Sequence, residues 1–517
     1  MIDFFGRIRS LPLTTMTGYL TTNTSAVLPF AGSVSLKEEI PVLSIIRQLT
    51  TVFSVRFVFI QLFCLIGLVS ALVGIAQSGE FTLTLEKAVQ AAQLNDPWLA
   101  GNRHSQDAVE AMSVYEGTLP DPQVSLGFAN VPIDTFDFSQ EAMTQFKVGV
   151  TQMFPRGDSL AIKRKQLQTV GSQFPFQRLD RKANIVVTVS QLWLDAYNAQ
   201  ESIALIQKDR PLFEQLADIA ETSYSAAYGK TRQQDIIRAQ LELTRLDDRL
   251  TMLKQKQEMF MEKLSGWVSE YFREEYGEKV NAASPLPWSH LALDKKRPDI
   301  KMLRESLYLS TGEANPQQFY ESVSKHPSLL ALDREIDTSK IGIDLARQKY
   351  KPAWGVNASY GYRAEDQNGR DRADFVSVGI SFDLPLFTSN RQDKEVQSSV
   401  SQTEAVKTKK WSLVRKMIAG FEKTRTQLKR LNDRQVLYKS QLLPQMNEQA
   451  EASLTAYTND DSDFAEVVRS RIAELNAKID ALGIDVERQK SIVELNYYFM
   501  ENAEDIIAKN SSGGEKK

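Results

Sequence analysis

The sequence has little of the chemistry on which enzymes and metal proteins depend. One cysteine occurs among 517 residues, which excludes a disulfide framework and a cysteine metal site. The three histidines, His104, His290 and His326, are scattered, so we expect none of them to bind metal. A net charge of −3 offers no basic footprint for nucleic acid. No phosphate loop, nucleophile elbow or zinc motif is found, so we expect no catalytic residues, no cofactor and no nucleic-acid partner.

Long apolar runs are equally scarce. Residues 57–76 form the only strongly apolar stretch, Arg56 precedes it, and Gly74 and Ala76 place small residues just before Gln77. This pattern is typical of a secretory signal peptide that is cleaved after Ala76. About 20 apolar residues can also span a bilayer, so a retained membrane anchor is the alternative. We favour the signal peptide, and with it export.

What the sequence does contain, it contains twice. Prolines recur at a spacing of 230 residues, the pairs being Pro97 and Pro327, Pro122 and Pro352, and Pro155 and Pro385. Further on, Tyr228 matches Tyr457 at a spacing of 229. A spacing that holds over about 150 residues indicates an internal duplication, and its period is too long for a solenoid.

Each copy contains two segments of about ten residues in which apolar side chains alternate with small or polar ones. The segments are 123–131, 145–154, 354–363 and 376–383. Alternation of this length, with glycine and serine on one face, is typical of tilted membrane strands, and an ordinary sheet with one wet face is the alternative. The apolar positions, which we expect to face lipid, are Val124, Leu126, Phe128, Phe146, Val148, Val150, Trp354, Val356, Tyr360, Tyr362, Val376, Val378, Ile380 and Phe382.

Helical patterns fill most of the remaining chain. One helix is predicted over 83–116 with Thr84 as its N-cap, and long helical stretches follow the strands over 157–224 and 390–456. Pro175, Pro211 and Pro444 are predicted kinks or joins within them. The chain then turns back into two helices with heptad spacing, which predicts coiled-coil packing. The heptad positions are Ile236, Ala239, Leu243, Leu246, Leu250, Leu253, Phe260, Leu264, Ile472, Leu475, Ile479, Leu482, Val486 and Val493.

Four strands in two hairpins cannot close a barrel, and open edges in lipid leave backbone groups unpaired. Closure therefore requires several chains. Two copies would give about 8 strands with a filled interior, whereas three would give about 12 and leave a passage. Both hairpins begin and end on the same side, so the long helices must leave the barrel together.

The segments LPDPQVSLGF, VGVTQMFPRG and QDIIRAQ, set in this duplicated plan, resemble the TolC family of outer-membrane efflux proteins over residues 81–502. The resemblance implies a mostly α fold with a membrane β-barrel portion: a homotrimer with a 12-stranded barrel, a periplasmic α-helical barrel and an equatorial domain. The first hairpin is also similar to the heavy-metal-efflux branch, the CusC- and CzcC-like channels.

The resemblance also implies a function. The protein would be the exit duct of a tripartite efflux or secretion system in the outer membrane of a Gram-negative bacterium, extending into the periplasm. It would be a passive conduit that works with a periplasmic adaptor and an inner-membrane pump, for which the RND type is favoured. A periplasmic coiled-coil adaptor or scaffold without a pore is the alternative.

In the family, the periplasmic tips close like an iris, and acidic residues past the second tip form a ring. The matching gate candidates are Asp460, Asp461, Asp463 and Glu466, with Asp235 in the first hairpin and Arg469 close by. Either Arg469 or Arg471 could pair with Glu466. A solvated acidic turn is the alternative. The expected adaptor-docking tips are Tyr228, Gly229, Lys230, Thr458 and Asn459, where Thr458 and Asn459 replace the family's usual glycine.

These patterns together predict five regions. They are an N-terminal extension with the signal peptide over 1–76, a first structural repeat over 77–264, an equatorial insert over 265–318, a second repeat over 319–502, and a disordered tail over 503–517.

Overall fold

The computed structural model describes residues 81–225, 232–276, 291–303, 316–459 and 461–499, all within the unit that begins at Gly79. The predicted signal peptide, the predicted tail and several single residues of interest lie outside these ranges. Those residues are Tyr228, Gly229, Lys230, His290 and Asp460. Within the described ranges, no helix combines the length and the apolar character that crossing a membrane would require.

The two halves of the chain repeat one order of elements. The first half contains β1 (Phe81–Leu83), α1 (Leu85–Leu94), α2 (Pro97–Tyr115), β2 (Gln123–Ala129), β3 (Gln145–Phe154), α3 (Ser159–Gly171), α4 (Phe174–Ser225) and α5 (Gln233–Tyr276). The second contains β4 (Leu291–Leu293), α6 (Pro316–Val323), α7 (Pro327–Gln348), β5 (Trp354–Tyr362), β6 (Phe375–Phe382), α8 (Gln392–Leu437), a π-helical segment (Tyr438–Leu442), α9 (Leu443–Thr458) and α10 (Phe464–Tyr497).

The single helix predicted over 83–116 is wrong in two respects. Leu83 belongs to β1, which pairs in parallel with β4, and the helix starts only after Thr84. Thr84 is the N-cap, as predicted, and its hydroxyl accepts a hydrogen bond from the Lys87 backbone nitrogen at 3.3 Å. Asp96 then caps a second helix, because Pro97 forces the preceding residue into an extended conformation.

The four predicted membrane strands form one antiparallel sheet in the order β2-β3-β5-β6. β3 has the predicted bounds, and β5 and β6 lie within one residue of theirs. β2 ends at Ala129, two residues early, because Asn130 has a φ of 57° and leaves the extended region. The β3–β5 pairing joins the hairpins of the two halves into a continuous sheet.

The long helical stretches contain the predicted prolines in three different settings. Pro175 lies in the first turn of α4, directly after the break that separates α3 from α4. Pro444 follows the π-helical segment, at whose end the Leu443 backbone nitrogen donates to the Tyr438 carbonyl five residues back, and it lies in the first turn of α9, where the missing amide hydrogen of proline is tolerated. Pro211 lies inside α4 and does not end this helix of 52 residues.

The heptad positions of both halves meet across α4, which packs between α5 and α10. Leu246 and Leu250 of α5 and Leu475 of α10 are buried around Ile206 and Phe213 of α4. The heptad positions of α5 thus pack on its hairpin partner α4, and those of α10 pack on α4 as well as on α9.

The largest hydrophobic core lies beside β1 and β4, at the level where the helices of both halves cross. Trp193 of α4 is fully buried there, and its indole nitrogen donates a hydrogen bond to the Leu83 carbonyl at 3.0 Å. Trp193 also stacks on Tyr197 with a centroid distance of 5.3 Å. A long helix is thus fixed to the short sheet by packing and by a directional bond.

His326 has a structural role in the same core. It caps α7, where its Nδ1 accepts a hydrogen bond from the Ser328 backbone nitrogen at 3.3 Å, and its Nε2 lies 3.1 Å from the Tyr497 carbonyl. Burial of the ring lowers the pKa of His326 to about 4. Among the described residues, no group of three or more histidine, cysteine or carboxylate side chains could hold a metal ion.

The buried histidine predicts a pH dependence of stability. Since the unfolded pKa is about 6.5, the unfolded state binds the proton more tightly, and the free energy of unfolding should fall as pH drops below about 6.5, by about 2 kcal/mol at pH 5. His326→Asn keeps a capping side chain and removes the titration. As the pH is lowered from 7.5 to 5, the melting temperature of the wild type should therefore fall relative to that of His326→Asn. Parallel curves for the two proteins would contradict this role.

Candidate functional site

The sheet has one apolar face, formed by all the strand positions that were predicted to be apolar. Residues directly opposite each other on neighbouring strands share a face. Val124 pairs with Val150, and Phe146 pairs with both Phe128 and Tyr362. At the opposite end of the strands, Trp354 of β5 pairs with Phe382 of β6 in the same way. The register thus brings the four strands' apolar side chains into continuous rows.

In the single chain this apolar face is open to solvent. Val376 is 76% exposed, Val378 is 72% exposed and Leu126 is 69% exposed, values that are unusual for large apolar side chains. Aromatic rings stand at both ends of the face. Phe154 stacks on Trp354 at 4.2 Å at one end, and Phe128 contacts Phe146 and Phe138 at the other. Aromatic rings at both ends of an apolar band are typical of membrane barrels.

The opposite face of the sheet is mostly small and polar, with Met153 and Phe375 as its large apolar members. One row consists of Ser125, Gly149, Ser359 and Ser377, and the next of Gln123, Thr151, Asn357 and Gly379. A Cβ at Gly149 would lie 2.6 Å from the Ser125 hydroxyl oxygen, so a larger residue there would require the serine side chain to rotate away. The four strands contain one charged residue, Lys147, which lies on this face.

Ion pairs and hydrogen bonds fix the end of the sheet from which the helices leave. Arg156, just after β3, contacts the carboxylate of Asp383, just after β6. The Arg156 guanidinium also donates to the carbonyls of Lys349 and Lys351, at 2.9 and 3.1 Å. The same Asp383 accepts a hydrogen bond from the Ala353 backbone nitrogen at 2.6 Å. Strand ends from both halves are therefore held together where strand gives way to helix.

At the far end of the helices, the two hairpin tips share one small core. Phe464, Val467 and Val468, in the first two turns of α10, are buried against Leu216 of α4 and Ala239 of α5. The gate candidates of the second hairpin therefore lie at or just before the start of a helix whose first turns are well packed.

The gate candidates of the second tip are largely exposed. Asp461 and Asp463 are exposed, and Asp463 also caps α10 by accepting a hydrogen bond from the Ala465 backbone nitrogen at 3.5 Å. Glu466 pairs with Arg469 at 3.0 Å, so of the two arginines considered Arg469 is its partner. The docking candidates Thr458 and Asn459 end α9 and are exposed as well.

Asp235 differs from the other acidic candidates. It is 2% exposed, and its carboxylate accepts a hydrogen bond from the Arg232 backbone nitrogen at 2.9 Å in the first turn of α5. This geometry gives Asp235 a capping role, because it satisfies a backbone amide that the helix leaves without a partner.

Sequence reasoning missed a buried charge network behind the tip. Arg471 contacts Glu451 of α9 at 2.6 Å and Glu474 at 3.0 Å, and both Arg471 and Glu474 are buried. Lys478 continues the network from Glu474, at 3.0 Å, to Asp209 of α4, at 3.2 Å. Burial disfavours the charge of Glu474, but hydrogen bonds from Lys478 and Arg471 outweigh it and lower its pKa. The only sequence signal was the helical spacing of three and four residues between these charges.

Comparisons with known proteins connect this geometry to a class of fold. The sequence matches no protein-family model and no curated protein. The structure is similar to that of the outer-membrane channel OprN, with a TM-score of 0.63 and 13% identity over 81% of this chain and 90% of that one. It is also similar to CusC (TM-score 0.62, 11% identity, 80% and 91% covered) and to the CmeC outer-membrane channel of Campylobacter jejuni (0.62, 13%, 83% and 88%).

The chain therefore has the fold of an outer-membrane channel protomer. The fold that the TolC-family resemblance implied for one chain is confirmed. This structural likeness does not test whether the chain belongs to the heavy-metal branch or whether three copies close a barrel, and both stay predictions.

The buried network predicts that Arg469 and Arg471 contribute differently to the stability of the tip. Arg471→Met should destabilise the α9–α10 tip by about 3 kcal/mol, because it leaves Glu474 buried with one cation fewer. Arg469→Met removes an exposed pair and should change stability by less than about 0.5 kcal/mol. Hydrogen exchange of the backbone amides of α9 and α10 measures both. Equal protection in the two variants would show that the network does not hold the tip.

Proposed function

We propose that three copies of this chain form an outer-membrane channel, the exit duct of a tripartite efflux or secretion system in a Gram-negative bacterium. The observation that carries the proposal is the two-faced sheet: an exposed apolar face with aromatic rings at both ends, backed by a small polar face. Such a sheet suits lipid on one side and water on the other. The likeness to solved outer-membrane channels supports the same function.

The sheet edges support the trimer. Among the described strands, β2 and β6 each pair on one side only, and an unpaired edge cannot be left in lipid. β2 and β6 run antiparallel, so β6 of one copy can pair with β2 of the next in the same sense as every other pair. Three copies close a barrel of about 12 strands, wide enough for an aqueous passage.

The helices supply the periplasmic part of the duct. α4, at about 1.5 Å per residue, is long enough to reach about 78 Å from its start near the sheet. Three sets of α4, α5, α8, α9 and α10 would surround a tunnel that continues the barrel. Transport is passive in this proposal: a pump of the inner membrane, for which we favour the RND type, and a periplasmic adaptor deliver the cargo.

The hairpin tips would both close the tunnel and bind the adaptor. Asp461, Asp463 and Glu466 are the gate residues that we propose, since threefold repetition turns the two exposed aspartates and the half-buried Glu466 into rings of carboxylates. Thr458 and Asn459, with residues 228–230 of the first tip, would contact the adaptor. On the similarity of the first hairpin, we favour the heavy-metal-efflux branch.

The mass of the mature protein after extraction from membranes tests the proposal. We expect three chains per particle and solubility only in detergent, because the apolar face needs lipid or detergent to cover it. A detergent-independent monomer or dimer would overturn the channel and favour the periplasmic coiled-coil adaptor instead.

Removing charge at the tip tests the gate. Asp463→Asn with Glu466→Gln abolishes two carboxylates per chain, while asparagine preserves the cap of α10. We expect single-channel conductance in a planar bilayer to rise at least about twofold, because Arg469 loses its ion pair with Glu466 and the unpaired arginines of the three copies repel one another at the entrance. Glu258→Gln with Glu262→Gln, at two exposed positions of α5, removes the same charge away from the tip and should leave conductance unchanged. Equal conductance of the wild type and the two double variants would contradict the assignment of Asp463 and Glu466 to the gate.

A further inference from the structure

Lys147 is the one charged side chain in the four strands. It pairs with Gly127 of β2 and Gly361 of β5, which places it on the polar face of the sheet. Lys147 is exposed, and no carboxylate of the described residues forms an ion pair with it. The four strands contain no other charged residue, and Lys147 lies on the face of the sheet opposite the apolar rows.

The neighbours of Lys147 leave its ammonium group accessible. Gly127 has open space where a side chain would begin, and the space above Gly361 is occupied by the uncharged amide of Gln145. The adjacent row consists of serine and glycine. The glycines on both flanking strands leave the uncharged Gln145 beside Lys147, and an amide cannot neutralise the charge of an ammonium group.

A second cation near this face is held differently. The Arg363 guanidinium lies over the Phe375 ring at 4.0 Å and donates to the carbonyls of Ala373 and Ala142, at 2.7 and 3.0 Å. The Asp374 carboxylate accepts a hydrogen bond from the Arg363 backbone nitrogen at 2.9 Å, so a negative charge lies beside Arg363. Arg363 ties the loops together, whereas the charge of Lys147 is uncompensated.

We infer that Lys147 is the residue that sets charge selectivity in the barrel, where three copies form a cationic ring that favours the passage of anions. The inference rests on the proposed trimeric channel. Twelve strands spaced about 4.8 Å apart and tilted about 40° give a backbone radius of about 12 Å. A lysine reaches about 6 Å inward, so the ammonium groups would lie about 10 Å apart, close to the Debye length of about 10 Å at 0.1 M salt.

The ring therefore acts on small permeating ions across the whole width of the passage. Small anions, and the anionic groups of larger solutes, are concentrated at Lys147, and cations are depleted there. This sign is opposite to that of the carboxylates at the helical tips. A cation drawn in at the tips would be repelled at Lys147 and would not be held there.

A charge series at position 147 tests the inference. The variants are Lys147→Arg, Lys147→Gln and Lys147→Glu, and the measurement is the reversal potential across a planar bilayer in a KCl gradient near 0.1 M. The chloride-to-potassium permeability ratio should fall about threefold in Lys147→Gln, further in Lys147→Glu, and not at all in Lys147→Arg. At 1 M salt the differences should largely vanish, since the Debye length shrinks to about 3 Å.

The outcomes separate this inference from the proposed function. Unchanged conductance of all variants at 1 M salt shows that each has formed an intact pore. If the pores conduct and the ratio is the same in all four proteins, Lys147 does not set selectivity, and the channel itself stands. If the purified wild-type protein forms no conducting pore, the proposed function fails, and the inference fails with it.

Discussion

The proposed channel depends on one constraint: a backbone in lipid must have every hydrogen-bonding group paired. A sheet of four strands meets this condition inside itself but not at β2 and β6. The even number of strands matters, because it makes the two outer strands antiparallel and allows identical copies to continue the sheet. It also brings every hairpin back to the same side, so all long helices leave in one direction. In the proposed trimer, the duplication of a hairpin with its helices would thus be sufficient to specify both a barrel and a tunnel.

Charge is distributed according to the same constraint. The strands exclude it apart from Lys147, and the ion pairs begin where the strands end, at Arg156 and Asp383. In the helices, most pairs are exposed and contribute little to stability. Arg471 is different, since its side chain is buried and pairs both with the buried Glu474 of its own helix and with the exposed Glu451 of α9, so that it joins α10 to α9. Buried charge pairs specify alignment more reliably than they add stability.

Sequence reasoning worked where the signal is local and periodic. Alternation fixed the bounds of β3, and heptads identified the seam residues around Leu246 and Leu475, because both patterns repeat with the geometry of the element itself. β1 and β4 went unnoticed, since three-residue strands have no period and pair across more than two hundred residues. The two-helix structure around Pro97 was missed because the apolar spacing continued across the break.

The candidate site was predictable in outline, and its partners were not. The acidic residues of the second tip could be located from the sequence, because a turn between two long helices is a local feature. The capping role of Asp235 depends on where α5 begins, and the contact of Lys478 with Asp209 depends on how α10 packs against α4. Neither follows from a pattern within a single segment.

The duplication also places a disturbed helix segment of each repeat at the level of the charge network. Pro211 of α4, shifted by the 229-residue spacing of the repeat, falls at position 440, inside the π-helical segment Tyr438–Leu442. Both halves therefore have a disturbed helical hydrogen-bond ladder at the same position in the repeat, one through a proline and the other through a wider turn. Asp209 lies two residues from Pro211, and it is the point at which Lys478 links α10 to α4. Side-chain ion pairs thus connect the helices at the level where backbone hydrogen bonding in the first repeat is weakened.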